Sequence, residues 1–301
     1  MFKDIGRRLR AHRLGTGQSA DSLADALAVS RAQIYRIEAG EIIKIETLER
    51  LAGVLETSVP SLLGVCLEYY AKAVTFFERM KQIEEDSDQV IAHFPTVSYL
   101  LSSDDYPRYL HQMLVESVYS DFDERASQEI ETIIEVLNER KAAQKRRHLS
   151  VVNFVSIPEV EKLLQLGLVG RLDLPEDEKV QRRIAARSEI EHLLRLIEDG
   201  PMGIQVALIE DTLPNINFQI FKGANQTMLG LSPFRLGGEL PNIRLGVATV
   251  TADAEPVRLY EGIVEDLWRR SHKGAEASAL LRSVLDRSNE FVERKEARLS
   301  A

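Results

Sequence analysis

Residues 17–40 read GQSADSLADALAVSRAQIYRIEAG, and the pattern of this segment predicts how the first part of the chain folds. Apolar residues recur three or four positions apart over residues 23–27 and again over 34–37, which predicts two short helices. Ser19 and Ser30 stand where each helix would begin, since a serine hydroxyl accepts a hydrogen bond from a free amide of the first turn. The stretch therefore predicts a helix, a tight turn and a second helix that ends at a glycine.

The second helix has a polar side. At about 100° per residue, Ile34 and Ile37 define the buried side. The opposite side and its flanks carry Arg31, Ala32, Gln33, Tyr35 and Arg36. Arginine can bond bidentately to guanine, glutamine can bond to adenine, and alanine or tyrosine can touch a thymine methyl group. A helix of this kind after a short helix and a tight turn is typical of recognition in the major groove of DNA.

The surrounding sequence completes a helical domain. Apolar residues at helical spacing over residues 2–9 predict one helix before the quoted stretch, and the runs at 48–55 and 59–63 predict two after it. We therefore expect five helices in residues 1–65.

These motifs resemble the lambda-repressor-like (XRE) helix-turn-helix family, over about residues 3–64. The resemblance implies that the recognition helix faces base edges or phosphates, that Lys44 lies near the DNA backbone, and that Arg13 and Glu38 form a structural ion pair. Ala20 departs from the family, which often has a phosphate-binding glutamine there, so Gln18, Ser19 or a backbone amide would replace that contact. The candidate DNA-binding residues are Gln18, Ser19, Ser30, Arg31, Ala32, Gln33, Tyr35, Arg36 and Lys44.

Charge is unevenly distributed along the chain. The 301 residues include 38 Lys and Arg against 47 Asp and Glu, for a net charge of -9. Residues 1–65 hold nine basic and eight acidic residues, whereas residues 66–301 hold 29 and 39. The acidity therefore excludes a protein that coats nucleic acid over its whole surface, but it leaves room for DNA binding at the N-terminal part.

Composition and motifs narrow the function class. The chain has one cysteine, Cys66, which excludes an internal disulfide. No signal-peptide core and no apolar run of membrane-spanning length is present, so we expect a cytoplasmic protein without membrane contact. The sequence lacks HExxH, GxGxxG and P-loop motifs, and its six histidines are scattered. We therefore expect no enzyme activity, no catalytic residue, no metal and no cofactor.

The rest of the chain reads as a connector and a second domain. The apolar spacing over residues 66–93 predicts one long connector helix. Residues 94–301 predict an α+β regulatory or dimerisation domain, with strands near 151–157, 204–209, 216–221 and 243–250 in a small antiparallel sheet. The Gly and Pro residues of the segment 223–241 predict a long loop. The overall expectation is a mainly α protein.

The order of segments in the second domain carries its own resemblance. Tyr99-Leu100-Leu101, Asp105-Tyr106-Pro107-Arg108, Arg140-Lys141-Ala142-Ala143-Gln144 and Gly203-Ile204-Gln205-Val206 are separated by breaks, a strand and a helix. This order is similar to the uncharacterised domain that follows the helix-turn-helix in many actinobacterial regulators. The resemblance implies a regulatory role without naming a ligand.

We therefore expect a transcriptional regulator that binds a double-stranded DNA operator as a homodimer, with a small molecule or a protein as a possible ligand of the second domain. One alternative is an antitoxin or adaptor whose second domain binds a partner protein while the helix-turn-helix autoregulates. Another is a helical-repeat peptide sensor, which the strand signals oppose. Co-purification from the native host would separate the regulator from the antitoxin or adaptor: a free homodimer favours the regulator, and a stoichiometric partner toxin favours the adaptor.

Overall fold

The computed structural model describes residues 2–41, 44–64, 67–94, 98–118, 123–237 and 240–299, with Cys66 outside these ranges. The first part, residues 2–64, is called the module below. Its helices are α1 (Phe2–Gly15), α2 (Ala20–Leu27), α3 (Arg31–Glu38), α4 (Ile45–Val54) and α5 (Val59–Leu63). The remainder, residues 67–299, is called the sheet part.

The module has its own hydrophobic core. Leu9 of α1, Leu23 of α2, Ile34 of α3 and Leu51 of α4 are each almost fully buried and pack in one cluster. These positions belong to the apolar stripes that the sequence shows, because residues three and four apart lie on the same face of a helix. The predicted five-helix arrangement is therefore present.

Among the described residues, the sheet part contains seven strands, seven α-helices and a short 3-10 helix at Tyr99–Leu101. The strands are β1 (Glu68–Tyr70), β2 (Gln89–His93), β3 (Ser150–Ser156), β4 (Ile204–Ile209), β5 (Asn217–Lys222), β6 (Thr227–Ser232) and β7 (Ala248–Thr251). The helices are α6 (Ala73–Glu85), α7 (Tyr106–Ser117), α8 (Glu124–Arg147), α9 (Ile157–Leu166), α10 (Glu176–Asp199), α11 (Ala254–Arg270) and α12 (Gly274–Leu299). In the part of the chain that the structure describes, no helix has the length and apolarity needed to cross a membrane.

All seven strands form one mixed sheet, in the order β1-β7-β6-β5-β2-β3-β4. Strands β2, β3 and β4 run parallel, and the other pairs are antiparallel. The parallel connections pass through helices, as parallel neighbours require. The larger core lies on the face that carries Val151 and Val155, and a second cluster around Phe154 packs beneath α11.

The predicted small antiparallel sheet is therefore wrong. Three of the strands, β1, β2 and β6, were not expected from the sequence. Strand β6 lies inside the segment 223–241 that reads as a loop, where Met228 and Leu229 are buried between neighbouring strands. Because Gly and Pro residues flank this short apolar run, the sequence pattern of the whole segment predicts a loop and the strand within it is missed.

The predicted connector helix over residues 66–93 is also wrong. This segment folds as β1, α6 and β2, and helical spacing describes only its middle. Glu68 and Tyr70 are buried while Tyr69 between them is exposed, which is the alternation of a strand. At the other end, the residues of β2 pair with β3 on one side and β5 on the other. A buried strand of this kind is a continuous apolar run that cannot be distinguished from a helix by periodicity.

Candidate nucleic-acid interface

The turn between α2 and α3 sets the direction of the third helix. Ala28 adopts a left-handed conformation with φ of 55° and ends α2, with its amide donating to Ala24 and Asp25 carbonyls. Ser30 then begins α3, because its Oγ accepts a hydrogen bond from the Gln33 amide at 3.2 Å. Burial of Ile34 and Ile37 fixes the rotation of α3 about its axis. The opposite face of α3 consequently points to solvent.

The outward face of α3 carries the predicted base-reading residues. The side chains of Arg31 and Arg36 are 59% and 62% exposed, and Tyr35 and Ala32 are also exposed. Gln33 is half-buried at the edge of this face. The Arg31 guanidinium donates to the Tyr35 hydroxyl at 3.0 Å and lies 5.4 Å from the centre of its ring. The structure therefore presents two arginines and a tyrosine together on one exposed helical surface.

Each of these arginines has a carboxylate partner. Arg31 pairs with Asp21 of α2 at 3.2 Å, and Arg36 pairs with Glu41 beyond the end of α3 at 3.3 Å. Both carboxylates are exposed, so the pairs lie in water and stabilise little. The Tyr35 hydrogen bond, followed by the Asp21 charge, raises the pKa of Arg31 above its usual value. The two carboxylates lie close enough to compete with an approaching phosphate for the arginines.

The residues at the start of α2 and α4 lie in different environments. Ser19 is exposed, and its Oγ accepts a hydrogen bond from the Ser22 amide at 3.0 Å. Gln18 is directed inward instead, where its Nε2 donates to the Val54 carbonyl at 3.2 Å and its Oε1 has no partner among the described residues. Lys44 is exposed immediately before α4. Of the two side chains offered as substitutes for the missing glutamine at Ala20, Ser19 is the one that faces solvent.

Arg13 and Glu38 form a closed pair inside the module. Arg13 donates from Nε to Glu38 Oε1 at 2.6 Å and from one terminal nitrogen to Oε2 at 3.0 Å. Both side chains are more than nine-tenths buried. Because the two hydrogen bonds are parallel, they fix the angle between α1 and the end of α3. This pair positions α3 and is closed off from solvent.

A buried ionic cluster joins the module to the sheet part. Glu68 of β1 accepts hydrogen bonds from Arg8 of α1 at 2.6 Å, from Arg79 of α6 at 2.9 and 3.0 Å, and from the Tyr70 hydroxyl at 2.5 Å. Burial alone would raise the pKa of Glu68, but the charges and hydrogen bonds of Arg79, with those of Arg8 and Tyr70, lower it to about 2. The carboxylate is therefore ionised and holds one arginine from each side.

Helix α1 packs directly on α6 beside this cluster. Gly15, the last residue of α1, lies so close to Thr75 that a Cβ there would come within 1.6 Å of the Thr75 Oγ1. At the other end of the contact, Arg7 pairs with Asp86 and donates to the Gln82 carbonyl. His12 stacks on Tyr70 with ring centres 5.1 Å apart. The module is consequently held along the length of α1.

Sequence reasoning missed these partners of the module. The only signal is the position of Arg8 in α1, between the buried residues Ile5 and Leu9, where a charge needs a buried partner. Nothing in the sequence names Glu68 as that partner, because the two residues are 60 positions apart. Asp21 and Glu41 were likewise not expected as partners of the recognition arginines.

Comparison with known proteins supports a helix-turn-helix at this position. Residues 4–62 match the helix-turn-helix domain family. No curated protein matches the chain.

Several solved structures resemble the chain, each at low identity. TrmBL2, an archaeal chromatin protein whose structure shows a novel mode of DNA binding, is 10% identical, with 76% of this chain and 60% of that chain covered and a TM-score of 0.32. Phosphatidylserine synthase of Haemophilus influenzae is 10% identical, with coverages of 78% and 46% and a TM-score of 0.39. ComR of S. thermophilus is 16% identical, with coverages of 65% and 51% and a TM-score of 0.20. The chain thus spans between 46% and 60% of these structures.

Proposed function

We propose that this protein is a sequence-specific DNA-binding transcriptional regulator of the lambda-repressor-like kind, in which residues 1–65 read an operator. The observation that carries the proposal is the exposed face of α3, where Arg31 and Arg36 project from a helix that follows a tight turn. The match of residues 4–62 to a helix-turn-helix domain supports the same reading. In this proposal Ala32, Gln33 and Tyr35 contact base edges.

The proposal assigns backbone contacts to the residues around the recognition helix. Ser19, Ser30 and Lys44 are exposed at or before the first turns of α2, α3 and α4. Amides at a helix start favour phosphate, so these three positions would grip the DNA backbone. Gln18 would act through its contact with Val54, by holding the start of α2, and would not touch phosphate.

Two copies of the chain are expected on one operator. A single small DNA-binding module buries about 600–1,000 Å² of protein surface, which gives modest affinity and short sites. A dimer would read a pseudo-palindrome with half-sites about one DNA turn apart. We propose that residues 94–301 provide the dimer contact or sense a signal, that the chain acts in the cytoplasm where the DNA is, and that it has no enzymatic role.

The decisive experiment is selection of bound sequences from a random DNA pool by the full chain. The expected result is one enriched pseudo-palindromic motif, protected in a footprint and bound by two chains per duplex in analytical ultracentrifugation. A pool without any enriched motif would overturn the proposal. If the chain instead purifies from its host in a stoichiometric complex with a second protein, the antitoxin or adaptor function replaces the sensing one.

A further inference from the structure

An open cleft lies between the module and the sheet part. It is bounded by α1, by the turn between α4 and α5, and by the segment from Tyr69 to Thr75, and it encloses about 400 Å³. That volume falls within the range of about 300–1,000 Å³ that ligand sites occupy. A separate cavity beside Asn217 and Gln219 in the sheet part has about 30 Å³, which suffices for only one or two water molecules. A third pocket of about 370 Å³ shares Thr16, Ala71 and Lys72 with the cleft and is lined by the charged residues Arg125, Glu129 and Arg244. Of these three, the cleft is the largest and the one suited to an uncharged ligand.

Several hydroxyl groups line the cleft beside apolar residues. The exposed Ser58 accepts the Ser61 amide at its Oγ, so its hydroxyl keeps a proton to donate, whereas Ser61 is buried and its Oγ accepts the Tyr69 amide. The Thr16 hydroxyl donates its proton to the Arg13 carbonyl, so its lone pairs remain free to accept a hydrogen bond from a ligand. The cleft thus offers both donors and acceptors to a ligand.

The cleft also has an aromatic surface and no net charge. Tyr69 lines the cleft and is 51% exposed, so its ring is available to a ligand. Lys72 and Glu56, the two charged residues of the lining, pair with each other at 3.2 Å. His12 forms part of the floor, and burial, against the charge of Glu68, lowers its pKa to about 4, so it is neutral at physiological pH.

We propose that this cleft binds an uncharged, polyhydroxylated small molecule of the size of a mono- or disaccharide. The ring of Tyr69 would stack on the apolar face of the sugar, and Ser58 and Thr16 would exchange hydrogen bonds with its hydroxyl groups. A charged ligand is disfavoured because the walls offer no unpaired charge to compensate its desolvation. A regulatory role for this ligand rests on the proposed function of the protein as a transcriptional regulator.

The position of the cleft connects ligand binding to the orientation of the module. His12, Ser58 and Ser61 belong to the module, whereas Tyr69 and Thr75 belong to the sheet part. A ligand that contacts both the module and the sheet part binds most tightly when the two have the relative orientation that the structure shows. Binding therefore stabilises that orientation. Thermodynamic linkage then requires that operator DNA and the ligand alter each other's affinity whenever DNA prefers one orientation.

Isothermal titration calorimetry of the full chain against D-glucose, maltose and trehalose, each up to 5 mM, tests the site. We expect at least one of these sugars to bind with a Kd below about 1 mM, and the corresponding charged sugars, glucose 6-phosphate and glucuronate, to bind at least tenfold more weakly. Absence of heat with all three neutral sugars, or equal binding of the charged ones, would overturn the proposal.

Variants then place the binding in the cleft. Tyr69→Ala is expected to weaken sugar binding at least tenfold, while Tyr69→Phe keeps the ring and retains binding within about threefold. Tyr109→Ala, at a half-buried tyrosine on α7, serves as the matched control and should leave binding unchanged. Binding that survives Tyr69→Ala would refute this location.

The two proposals fail separately. Operator binding is measured on the same preparations in the absence of sugar. Loss of sugar binding with intact operator binding overturns only the ligand site, and sugar binding without any preferred DNA overturns only the transcriptional role.

Discussion

Arg8 in α1 donates from Nε to Oε1 of Glu68 in β1 at 2.6 Å, and this buried pair crosses from the module into the sheet part. The same carboxylate accepts two hydrogen bonds from Arg79, whose side chain is 5% exposed. One carboxylate therefore compensates two guanidinium groups that would otherwise lie unpaired in the interior. The stability of the junction between the module and the sheet part therefore depends strongly on the charge of Glu68.

Glu68→Gln should destabilise the whole chain. The substitution keeps the shape of the side chain but removes the carboxylate that is hydrogen-bonded to both buried arginines, Arg8 and Arg79, which costs about 3–5 kcal/mol in comparable cases. Urea unfolding at pH 7 measures the effect. Glu56→Gln is the matched control, since Glu56 pairs with Lys72 at the surface and its loss should cost no more than about 1 kcal/mol. Equal losses in the two variants would contradict the role of Glu68.

His12 should make stability fall as the medium becomes acidic. Its pKa is lowered from 6.5 to about 4 in the folded chain, mainly by burial. The unfolded chain therefore binds a proton between pH 6.5 and 4 that the folded chain refuses, so stability is complete above pH 6.5 and is lost as pH falls toward 4. At about 1.4 kcal/mol per pKa unit, the loss is on the order of 3 kcal/mol.

His12→Phe isolates that contribution because it keeps a ring to stack on Tyr70. As pH falls from 7.5 to 4.5, the free energy of unfolding of the wild type should drop by about 2–3 kcal/mol relative to that of the variant. Glu68 adds a further loss only below about pH 4.5, since its pKa is lowered from 4.5 to about 2. Parallel curves for the two proteins would show that His12 does not titrate in this window.

Arg31→Ala and Arg36→Ala should each weaken operator binding without unfolding the module, because both side chains are exposed. A lost bidentate contact to a base costs about 1–3 kcal/mol of discrimination, whereas a lost phosphate contact weakens all sequences and lowers the slope of log affinity against log salt by about one. Fluorescence anisotropy over a salt series distinguishes the two outcomes. Arg258→Ala, at an exposed arginine of α11, is the control. If Arg31→Ala and Arg36→Ala weaken DNA binding no more than Arg258→Ala does, α3 does not contact DNA.

Asp21→Asn and Glu41→Gln should strengthen DNA binding. Each substitution releases an arginine of the recognition face and removes a negative charge near it. Exposed ion pairs contribute about 0.2–1 kcal/mol, so we expect a gain of up to about fivefold per substitution. Asp25→Asn, on an exposed position of the same helix as Asp21, reports the effect of net charge alone. A gain from Asp25→Asn as large as that from Asp21→Asn would show that pairing is irrelevant.

Gly15→Ala should separate α1 from α6. The new Cβ would overlap the side chain of Thr75, and relief of such an overlap typically costs about 1–3 kcal/mol. Gly53→Ala in α4 is the control, since nothing lies within 4 Å of its added Cβ and alanine favours a helix by roughly 0.5–1 kcal/mol. The thermal midpoints should therefore move in opposite directions. A stabilised Gly15→Ala would mean that the two helices do not touch.

The sequence predicts the module well because every determinant is local. Ser19 and Ser30 begin α2 and α3, and the apolar stripes of both helices fall within eight residues. The sheet was predicted poorly because its pairings are not local. Strand β2 pairs with β3 and β5, whose residues are 61 and more than 120 positions away, and no single-sequence pattern records such partners.

In the candidate interface, too, the sequence predicts the local features and misses the contacts between separate helices. The outward face of α3 follows from the position of Ile34 and Ile37 on one helix. The partners of its arginines do not, because Asp21 reaches Arg31 from a different helix. Gln18 shows a further limit, since only the fold reveals that its amide is directed toward Val54.

The tight fit of α1 against α6 bears on how this protein can be engineered. A foreign helix-turn-helix grafted onto the sheet part would need an arginine at the position of Arg8 and a glycine at that of Gly15, or it would leave Glu68 and Arg79 mismatched and collide with Thr75. The module therefore cannot be exchanged as an independent unit. Chimeras that change operator preference should retain α1 and exchange only the surface of α3.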